Sequence, residues 1–190
     1  MKQDSINVIL MHGKNTDPSQ KWYPWLKLKM LENNISFISP ILPNSDDPEI
    51  NEWIKALEKT NPNENSILIW HSRGGVAILR FLEGKEISFK VKKVILVATN
   101  SGYSKKRSKT ENNKWFFTVK GFDFNKIKSH CDKFLVLHSK DDDWVPFEDW
   151  IENTKGLNAR LMEFNDKWHF GNKLEKQEIP ELLDEIIYNK

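Results

Sequence analysis

The segment ILIWHSRGGVAI at residues 67–78 joins an apolar run to a helix-like run through one serine and two glycines. Residues 66–70 have the length and apolar character of a buried strand, and residues 74–83 show the spacing of a helix. A strand that leads directly into a helix is typical of sheets whose parallel strands are joined by helical crossovers. The rest of the chain repeats this alternation.

Strand-like and helix-like segments alternate along all 190 residues. The predicted strands lie at residues 6–11, 35–38, 66–70, 91–98, 133–138 and 159–164. The predicted helices lie at residues 21–32, 48–59, 74–83, 123–129, 146–155 and 176–188. Right-handed crossovers between such strands produce a mostly parallel sheet with helices on both faces. The sequence therefore predicts a three-layer α/β/α fold with a six-stranded sheet, as a single domain over residues 1–190.

Length and charge limit the partners that the chain can have. Its 29 Lys and Arg residues against 27 Asp and Glu residues leave a formal net charge of +2, too small an excess to predict attraction to nucleic acid or to an acidic membrane. The first apolar run is too short for a secretion signal or a membrane span. The single Cys131 offers neither an internal disulfide nor a metal-ligand cluster. We therefore expect a cytoplasmic protein without a metal, a cofactor, or a nucleic-acid or membrane partner.

The serine segment is one residue away from the nucleophile pattern G-x-S-x-G, in which the serine lies on a strained turn between a strand and a helix. This chain has Trp70 where the first glycine belongs, whereas Gly74 and Gly75 keep the helix side of the pattern. A Trp70 ring directed into the strand-helix crossing would push the two elements apart; directed the other way, it would fill space beside the sheet. Taken alone, Ser72 could equally be a helix N-cap. Because both helix-side glycines are retained, we expect an intact turn.

Polar residues follow several of the predicted strands, at the edge where a parallel sheet forms its site. His12 and Gly13 follow the first strand, Ser72 the third, three aspartates the fifth and His169 the sixth. The chain order serine, acid, histidine is the order used with a serine on such a turn. A serine hydroxyl becomes nucleophilic when an imidazole accepts its proton and a carboxylate holds that imidazole. The set predicts a hydrolytic site with Ser72 as nucleophile and His169 as base.

The other histidines are interpreted as structural. His71 is adjacent to Ser72 in an extended segment, so the two side chains point to opposite faces. His12 more simply orders its own loop, and His130 and His138 have no constellation of candidate groups around them.

Spacing alone does not identify which aspartate is the acid of the site. Asp141, Asp142 and Asp143 run together after the fifth strand, and those that do not face the base would cap the next helix or stay solvated. Asp166, three residues before His169, is a further candidate, although an ion pair with a lysine is the commoner role for such a residue.

A tetrahedral oxyanion needs backbone N–H donors near the nucleophile. Arg73, directly after the serine, supplies one at the helix N-terminus. The loop after Gly13 supplies the second, most simply through Lys14. We therefore predict an oxyanion hole formed by the N–H groups of Lys14 and Arg73.

Several motifs, taken together, resemble one family of small serine hydrolases. They are the HG after the first strand with KWYPWLKLKM, then PILPNSDDPEINEWIKALEK, HSRGG, the SGY after the fourth strand, SKDDDWVPF and the WHF near the end. In order and spacing they are similar, nearly from end to end, to the family typified by retinoblastoma-binding protein nine and its bacterial relatives. The resemblance implies a compact α/β-hydrolase fold without a large cap, and a Ser-Asp-His triad.

Position by position, the resemblance assigns the nucleophile to Ser72 in HSRGG, the acid to Asp142 in the D-x-x-V-P pattern and the base to His169 in the H-F pair. It also implies a serine carboxylesterase that acts on small esters or acyl groups. The chain departs from the family pattern at two positions. Trp70 stands two residues before the nucleophile, and Trp168 replaces the glycine of the common G-H-F.

Tryptophan is abundant, with eight residues in the chain. Trp22, Trp70, Trp144 and Trp168 all lie close in sequence to the predicted site residues, although any one of them could simply fill the core. Together they predict an aromatic cleft suited to a short apolar acyl or aryl ester. Of these, Trp22, Trp144 and Trp168 are the predicted substrate-binding residues.

Two alternatives remain open. The basic run at residues 105–109 is interpreted as a solvated loop, with a contact to an anionic ligand or a gate over the site as the other interpretations. If Trp70 disables the turn, the chain is instead a non-catalytic binding module for a protein partner.

Overall fold

A computed structural model describes residues 6–84, 87–103 and 115–188. In these ranges the strands are β1 (Asn7–Met11), β2 (Ser36–Ile38), β3 (Ser66–His71), β4 (Lys93–Val97), β5 (Phe134–Ser139) and β6 (Arg160–Phe164). The helices are α1 (Tyr23–Glu32), α2 (Ile50–Glu58), α3 (Arg73–Gly84), α4 (Phe124–Ser129), α5 (Phe147–Leu157) and α6 (Pro180–Ile187). The predicted alternation is confirmed. The largest shift is at α6, which begins at Pro180 because proline suits the first helical turn.

All six strands form one parallel sheet in the order β2-β1-β3-β4-β5-β6. The chain builds the sheet outward from β1 in one direction and from β3 in the other. The carboxyl ends of β1 and β3 therefore flank the point at which the topology reverses, where α/β sheets form their crevice. The loops after these two strands contain Gly13 and Ser72.

The side chains of β3 alternate between two apolar cores, one on each face of the sheet. Leu68 and Trp70 join the core formed with α2, α3, α4 and α5. Ile67 and Ile69 join the core formed with α1 and α6. Because both faces are buried, the strand is a continuous apolar run, and each such side chain contributes about 1.5–3 kcal/mol. Ser72 therefore follows a strand whose residues are all buried.

Two sequence-based interpretations concern regions outside this scaffold. The basic run at residues 105–109, interpreted as a solvated loop, lies outside the described residues. Within the described part of the chain, no helix combines the length and the apolar character needed to cross a membrane.

Candidate active site

Ser72 lies on a tight turn between β3 and α3. Its φ angle is +58°, in the left-handed region that residues other than glycine rarely adopt. Its N–H donates to the carbonyl of Val97 on β4 at 2.9 Å, and its own carbonyl accepts from the N–H of Gly75 at 3.0 Å. A strained serine between a strand and a helix presents its hydroxyl above the sheet. The turn expected from the sequence is therefore present.

Trp70, which replaces the usual glycine, lies in the crossing between β3 and α3. Its ring is fully buried and packs on Gly74, where an added Cβ would lie 2.8 Å from ring carbon Cε3. Among the described residues, the indole Nε1 finds no hydrogen-bond partner, so the ring is held by packing. The strand and the helix are not forced apart because Gly74 has no side chain in this space. Trp70 thus leaves the turn at Ser72 intact.

His169 links Ser72 to Asp142 through its two ring nitrogens. Nε2 lies 2.8 Å from Ser72 Oγ, and Nδ1 lies 2.8 Å from Asp142 Oδ2. Because an ionised carboxylate only accepts, Nδ1 carries the ring proton and Nε2 is free to accept the hydroxyl proton. These three residues form a continuous hydrogen-bonded set, which we call the serine row.

The Asp142 carboxylate is fully buried and is held by backbone donors. Its Oδ1 accepts from the N–H of Trp144 at 2.8 Å and from the N–H of Val145 at 3.0 Å. Hydrogen bonds to an ionised acceptor are stronger than those between neutral groups. They fix the orientation of the carboxylate and leave Oδ2 facing His169.

Asp141 holds the backbone of the loop that carries His169. Its Oδ1 accepts from the N–H of Trp168 at 2.9 Å and from the hydroxyl of Ser139. The same hydroxyl accepts from the N–H of Lys167 at 3.0 Å. Asp141 therefore binds the loop backbone rather than the imidazole.

The other two acidic candidates lie at the surface. The side chain of Asp143 is 67% exposed and lies 3.6 Å from Lys173 Nζ. The side chain of Asp166 is 77% exposed and lies 3.9 Å from Lys167 Nζ. Of the four candidate acids, the structure brings Asp142 to the imidazole, and this is the aspartate that the family resemblance assigned.

His71 is fully buried and joins Tyr23 to the loop that carries His169. Its Nε2 lies 2.7 Å from the carbonyl oxygen of His169, and its Nδ1 lies 2.8 Å from the Tyr23 hydroxyl. Because a carbonyl only accepts, Nε2 carries the proton and Nδ1 accepts from the tyrosine. Burial, followed by the charge of the nearby Lys21, holds the pKa of His71 well below its usual value. His71 is thus a neutral residue that positions the His169 loop, in line with its interpretation as structural.

The loop after β1 packs directly on the serine turn. A Cβ added at Gly13 would lie 3.1 Å from Ser72 Cβ, so glycine permits this close approach. His12 orders the loop as predicted, since its Nδ1 donates to the carbonyl of Gly13 at 2.9 Å and its Nε2 accepts from the N–H of Leu42 at 2.9 Å. The loop is therefore tied to the segment after β2.

The two predicted backbone donors border the serine. Arg73 is the first residue of α3, where N–H groups have no partner within the helix. Lys14 directly follows Gly13 in the loop that packs on Ser72. Their role as oxyanion donors stays a prediction.

The interpretation of His138 as having no constellation of candidate groups around it is wrong. Its Nε2 lies 3.6 Å from Asp142 Oδ2, and its ring stacks on Trp150 with the centroids 5.1 Å apart. Burial lowers the pKa of His138 to about 4, although the charge of Asp142 acts in the opposite direction. The buried carboxylate therefore lies between two imidazoles. The available signal in the sequence was that His138, near the end of β5, lies four residues before Asp142 in the turn that follows.

A cleft of about 150 Å³ opens beside His169. Trp144 and Trp168 line it, and the indole of Trp144 stacks on the His169 ring with the centroids 5.3 Å apart. Both residues therefore border the cleft, and their role in substrate binding stays a prediction. Lys21 also lines the cleft. Sequence reasoning missed it, although it opens the stretch KWYPWLKLKM directly before Trp22.

The prediction that Trp22 binds substrate is wrong. Its side chain is fully buried, and its Nε1 donates to the carbonyl of Phe170 at 3.0 Å. A large aromatic residue at the start of α1 instead fills the core beneath the site, with its polar atom paired. Trp22 thereby fixes the backbone directly after His169.

The loop is strained on both sides of His169. Trp168 and Phe170 each have a φ angle of +49°, and such conformations persist only where the surroundings hold them. The hydrogen bonds made by Asp141 and His71 are two of the contacts that do so. The imidazole is therefore presented to Ser72 by a constrained backbone.

A strained serine after β3, an acid after β5 and a histidine after β6 now lie together at the carboxyl edge of a parallel sheet. This is the arrangement of the α/β-hydrolase fold. A family model described as serine hydrolase matches residues 8–186. The chain therefore belongs to the serine hydrolase family.

Known relatives cover most of the chain. Putative hydrolase YdeN of Bacillus subtilis is 32% identical over 165 residues, which are 86% of this chain and 85% of that protein. Serine hydrolase RBBP9 of Rattus norvegicus is 28% identical over 168 residues, which are 87% of this chain and 86% of that protein. The crystal structure of the ydeN gene product from B. subtilis has a TM-score of 0.84 at 27% identity and covers 96% of this chain and 97% of that one. The resemblance inferred from the motifs and the predicted fold are both confirmed.

Proposed function

We propose that this serine hydrolase is a carboxylesterase that cleaves small apolar acyl or aryl esters through an acyl-enzyme. The observation that carries the proposal is the serine row, in which one imidazole lies 2.8 Å from Ser72 Oγ and 2.8 Å from Asp142 Oδ2. A nucleophile within hydrogen-bond reach of a base that a third group orients is the signature of covalent catalysis.

In the acylation step, Ser72 Oγ attacks the ester carbonyl carbon while His169 Nε2 takes the hydroxyl proton. Asp142 stabilises the imidazolium that forms. The carbonyl oxygen becomes an oxyanion and accepts hydrogen bonds from the N–H groups of Lys14 and Arg73. As the tetrahedral intermediate collapses, the bond to the leaving oxygen breaks and that oxygen receives the proton from His169.

In the deacylation step, a water molecule takes the place of the leaving alcohol. His169 Nε2 removes a proton from this water, which attacks the acyl carbon. The second tetrahedral intermediate releases the carboxylic acid and returns the proton to Ser72. The neutral state of His71 suits this cycle, because a second imidazolium beside His169 would oppose each protonation of the base.

The cleft beside His169 supports the substrate class. Its indole walls, Trp144 and Trp168, offer apolar contact area, and a volume of about 150 Å³ suits a small group. We expect kcat/KM across a panel of esters to rise with the apolar character of a short acyl or aryl group. A flat profile across that panel would contradict this choice of substrate.

An active-site-directed fluorophosphonate tests the reaction class. Because the probe is captured by an activated serine, the protein should be labelled and Ser72→Ala should not be. Ser129→Ala is the matched control, since it removes an exposed serine hydroxyl at the end of α4, which donates to the carbonyl of Lys126 and lies outside both the serine row and the loop that carries His169; it should keep the label. Absence of labelling in wild-type protein with a cooperative unfolding transition would instead favour a non-catalytic binding module.

A further inference from the structure

The cleft beside His169 contains a cation that the proposed mechanism does not use. Lys21 lies two residues before α1, and its Nζ is 3.9 Å from the position that a Cβ on Gly171 would occupy. Gly171 also lines the cleft. The absence of a side chain there leaves room around the ammonium group.

The other charged residues that line this cleft, Lys173 and Asp143, neutralise each other. Lys173 Nζ lies 3.6 Å from Asp143 Oδ2 and 4.0 Å from the centre of the Trp168 ring. For Lys21, within the described residues, the structure shows neither an ion pair nor a hydrogen bond to its ammonium group. The lining residues Lys21, Lys173 and Asp143 therefore leave one positive charge without a partner.

Holding Lys21 in this place is unfavourable for the protein itself. Its φ angle is +56°, a conformation that is strained for a lysine. The side chain is half-buried, and this burial lowers its pKa to about 8. A bound anion that pairs with the ammonium would offset the cost of holding a strained, partly dehydrated cation at the cleft.

We infer that Lys21 binds a carboxylate of the substrate, so that the preferred substrates are esters with an apolar body and a negatively charged end. The inference rests on the proposed function and narrows its substrate class. The apolar body lies between Trp144 and Trp168, and the charged end lies over Gly171 beside Lys21. The carboxylate belongs either to the acyl part or to the leaving group, and these are separate arms of the test.

Two matched pairs of esters distinguish a carboxylate on the acyl part from a carboxylate on the leaving group. In the first pair, para-nitrophenyl adipate carries a carboxylate on its acyl part and para-nitrophenyl heptanoate does not. In the second pair, meta-carboxyphenyl hexanoate carries it on the leaving group, and the carboxamide analogue does not. The measured quantity is the ratio of kcat/KM for the charged ester to that for its neutral partner. A hydrogen bond to a charged group predicts a ratio that is about ten- to a hundredfold higher with Lys21 than without it, in one arm.

Three variants assign the effect. Lys21→Met keeps the length of the side chain and the backbone strain but removes the charge, so the ratio should fall by about tenfold or more in that arm. Lys21→Arg should keep most of the ratio. Lys29→Met, on the exposed face of α1 and paired with Glu32, changes the net charge equally and should leave the ratio unchanged.

The outcomes separate this inference from the proposed function. Neutral esters that are cleaved in a Ser72-dependent manner, with equal ratios for wild-type and Lys21→Met in both arms, overturn the role of Lys21 and leave the esterase intact. A wild-type protein that cleaves neither member of either pair overturns the proposed function. Should Lys21→Met fail to fold, the wild-type ratio still decides, since no preference for a charged ester in either arm excludes a carboxylate-binding Lys21.

Discussion

The serine row and the cleft beside it share His169 but differ in how their polar groups are satisfied. In the row, Asp142 accepts three hydrogen bonds at 2.8–3.0 Å, and the loop around the imidazole is tied down by further bonds. In the cleft, Trp144 is 75% exposed and Lys21 has a partly dehydrated ammonium group. The pre-organised groups of the row act in a chemical step that is common to every substrate. The exposed or unpaired groups of the cleft contact only substrates of matching chemistry. Substitutions in the row should therefore act on all esters, and substitutions in the cleft on some.

The largest expected effect is at the acid of the row. Asp142→Asn keeps the shape of the side chain but presents an amide that favours the wrong imidazole tautomer, so kcat should fall by about ten-thousandfold. Asp143→Asn is the matched control, because its carboxylate is exposed and paired at the rim with Lys173. Its kcat should change by less than about twofold.

Asp141→Asn extends the comparison between Asp142 and Asp143 to the third aspartate. Asp141 holds the N–H of Trp168, so its loss should lower kcat less than the loss of Asp142 and should also lower the midpoint of thermal unfolding. Steady-state kinetics on one neutral ester measure all three variants. A larger loss of kcat at Asp141 or Asp143 than at Asp142 would contradict the assignment of the acid.

The second prediction concerns the packing beneath the row. Gly74→Ala would place a Cβ 2.8 Å from Trp70 Cε3 and 2.8 Å from the carbonyl oxygen of His12. Overpacking of this kind costs about 1–3 kcal/mol in the free energy of unfolding. Because the helix then moves away from the strand that precedes Ser72, kcat should fall as well. Gly84→Ala, in the last turn of α3 with no atom within 4 Å of its Cβ position, is the control: it should leave kcat nearly unchanged and should raise the free energy of unfolding by at most about 1 kcal/mol, because alanine favours a helix over glycine. Equal stability of the two variants would mean that Trp70 has room to move.

The sequence predicted the fold well because its local patterns and its topology agree. Apolar runs of strand length and helical spacing alternate without interruption, and right-handed crossovers allow few other arrangements. The same logic located the candidate site. In a parallel sheet the residues that follow the strands share one edge, so Ser72, Asp142 and His169 could be grouped before any distance was known.

What the sequence could not decide depends on the directions of side chains in loops. Trp22 and Trp144 are both close in sequence to site residues, yet Trp22 is fully buried and Trp144 is 75% exposed. Three consecutive aspartates have no periodicity that selects one. The turn in which the N–H of Asp142 donates to the carbonyl of Ser139 at 3.1 Å is what aims one carboxylate inward. Lys21 and His138 were missed for the same reason: Lys21 opens the stretch KWYPWLKLKM and His138 directly precedes SKDDDWVPF, yet no pattern in either stretch shows where their side chains point.

The third prediction concerns the support behind His169. Tyr23→Phe removes the hydroxyl that donates to His71 Nδ1 at 2.8 Å and leaves a buried acceptor unsatisfied. The free energy of unfolding should fall by about 1–3 kcal/mol. The kcat for neutral and charged esters should fall together, because His71 holds the backbone carbonyl of His169 and touches no substrate. A change in the ratio between charged and neutral esters would place Tyr23 in the cleft instead of behind the row.

The smallest effect is the pH dependence of substrate preference, and it tests the cleft alone. Burial lowers the pKa of Lys21 to about 8. The ammonium is therefore present below that pH and is lost as the pH rises through it, while the carboxylate of a charged ester stays ionised. The ratio of kcat/KM for a charged ester to that for its neutral partner should be high near pH 7 and should decline through about pH 8.

This ratio isolates Lys21 because both esters use the same serine row, and because burial holds the pKa of His71 well below its usual value, so that His71 stays neutral in this range. The remaining cation of the cleft, Lys173, is 61% exposed and paired with Asp143, so Lys173→Met should leave the position of the decline unchanged. Lys21→Met should give a ratio that is low and independent of pH. A decline that persists in Lys21→Met would assign the titration to another group and would leave the cleft without its proposed anion-binding residue.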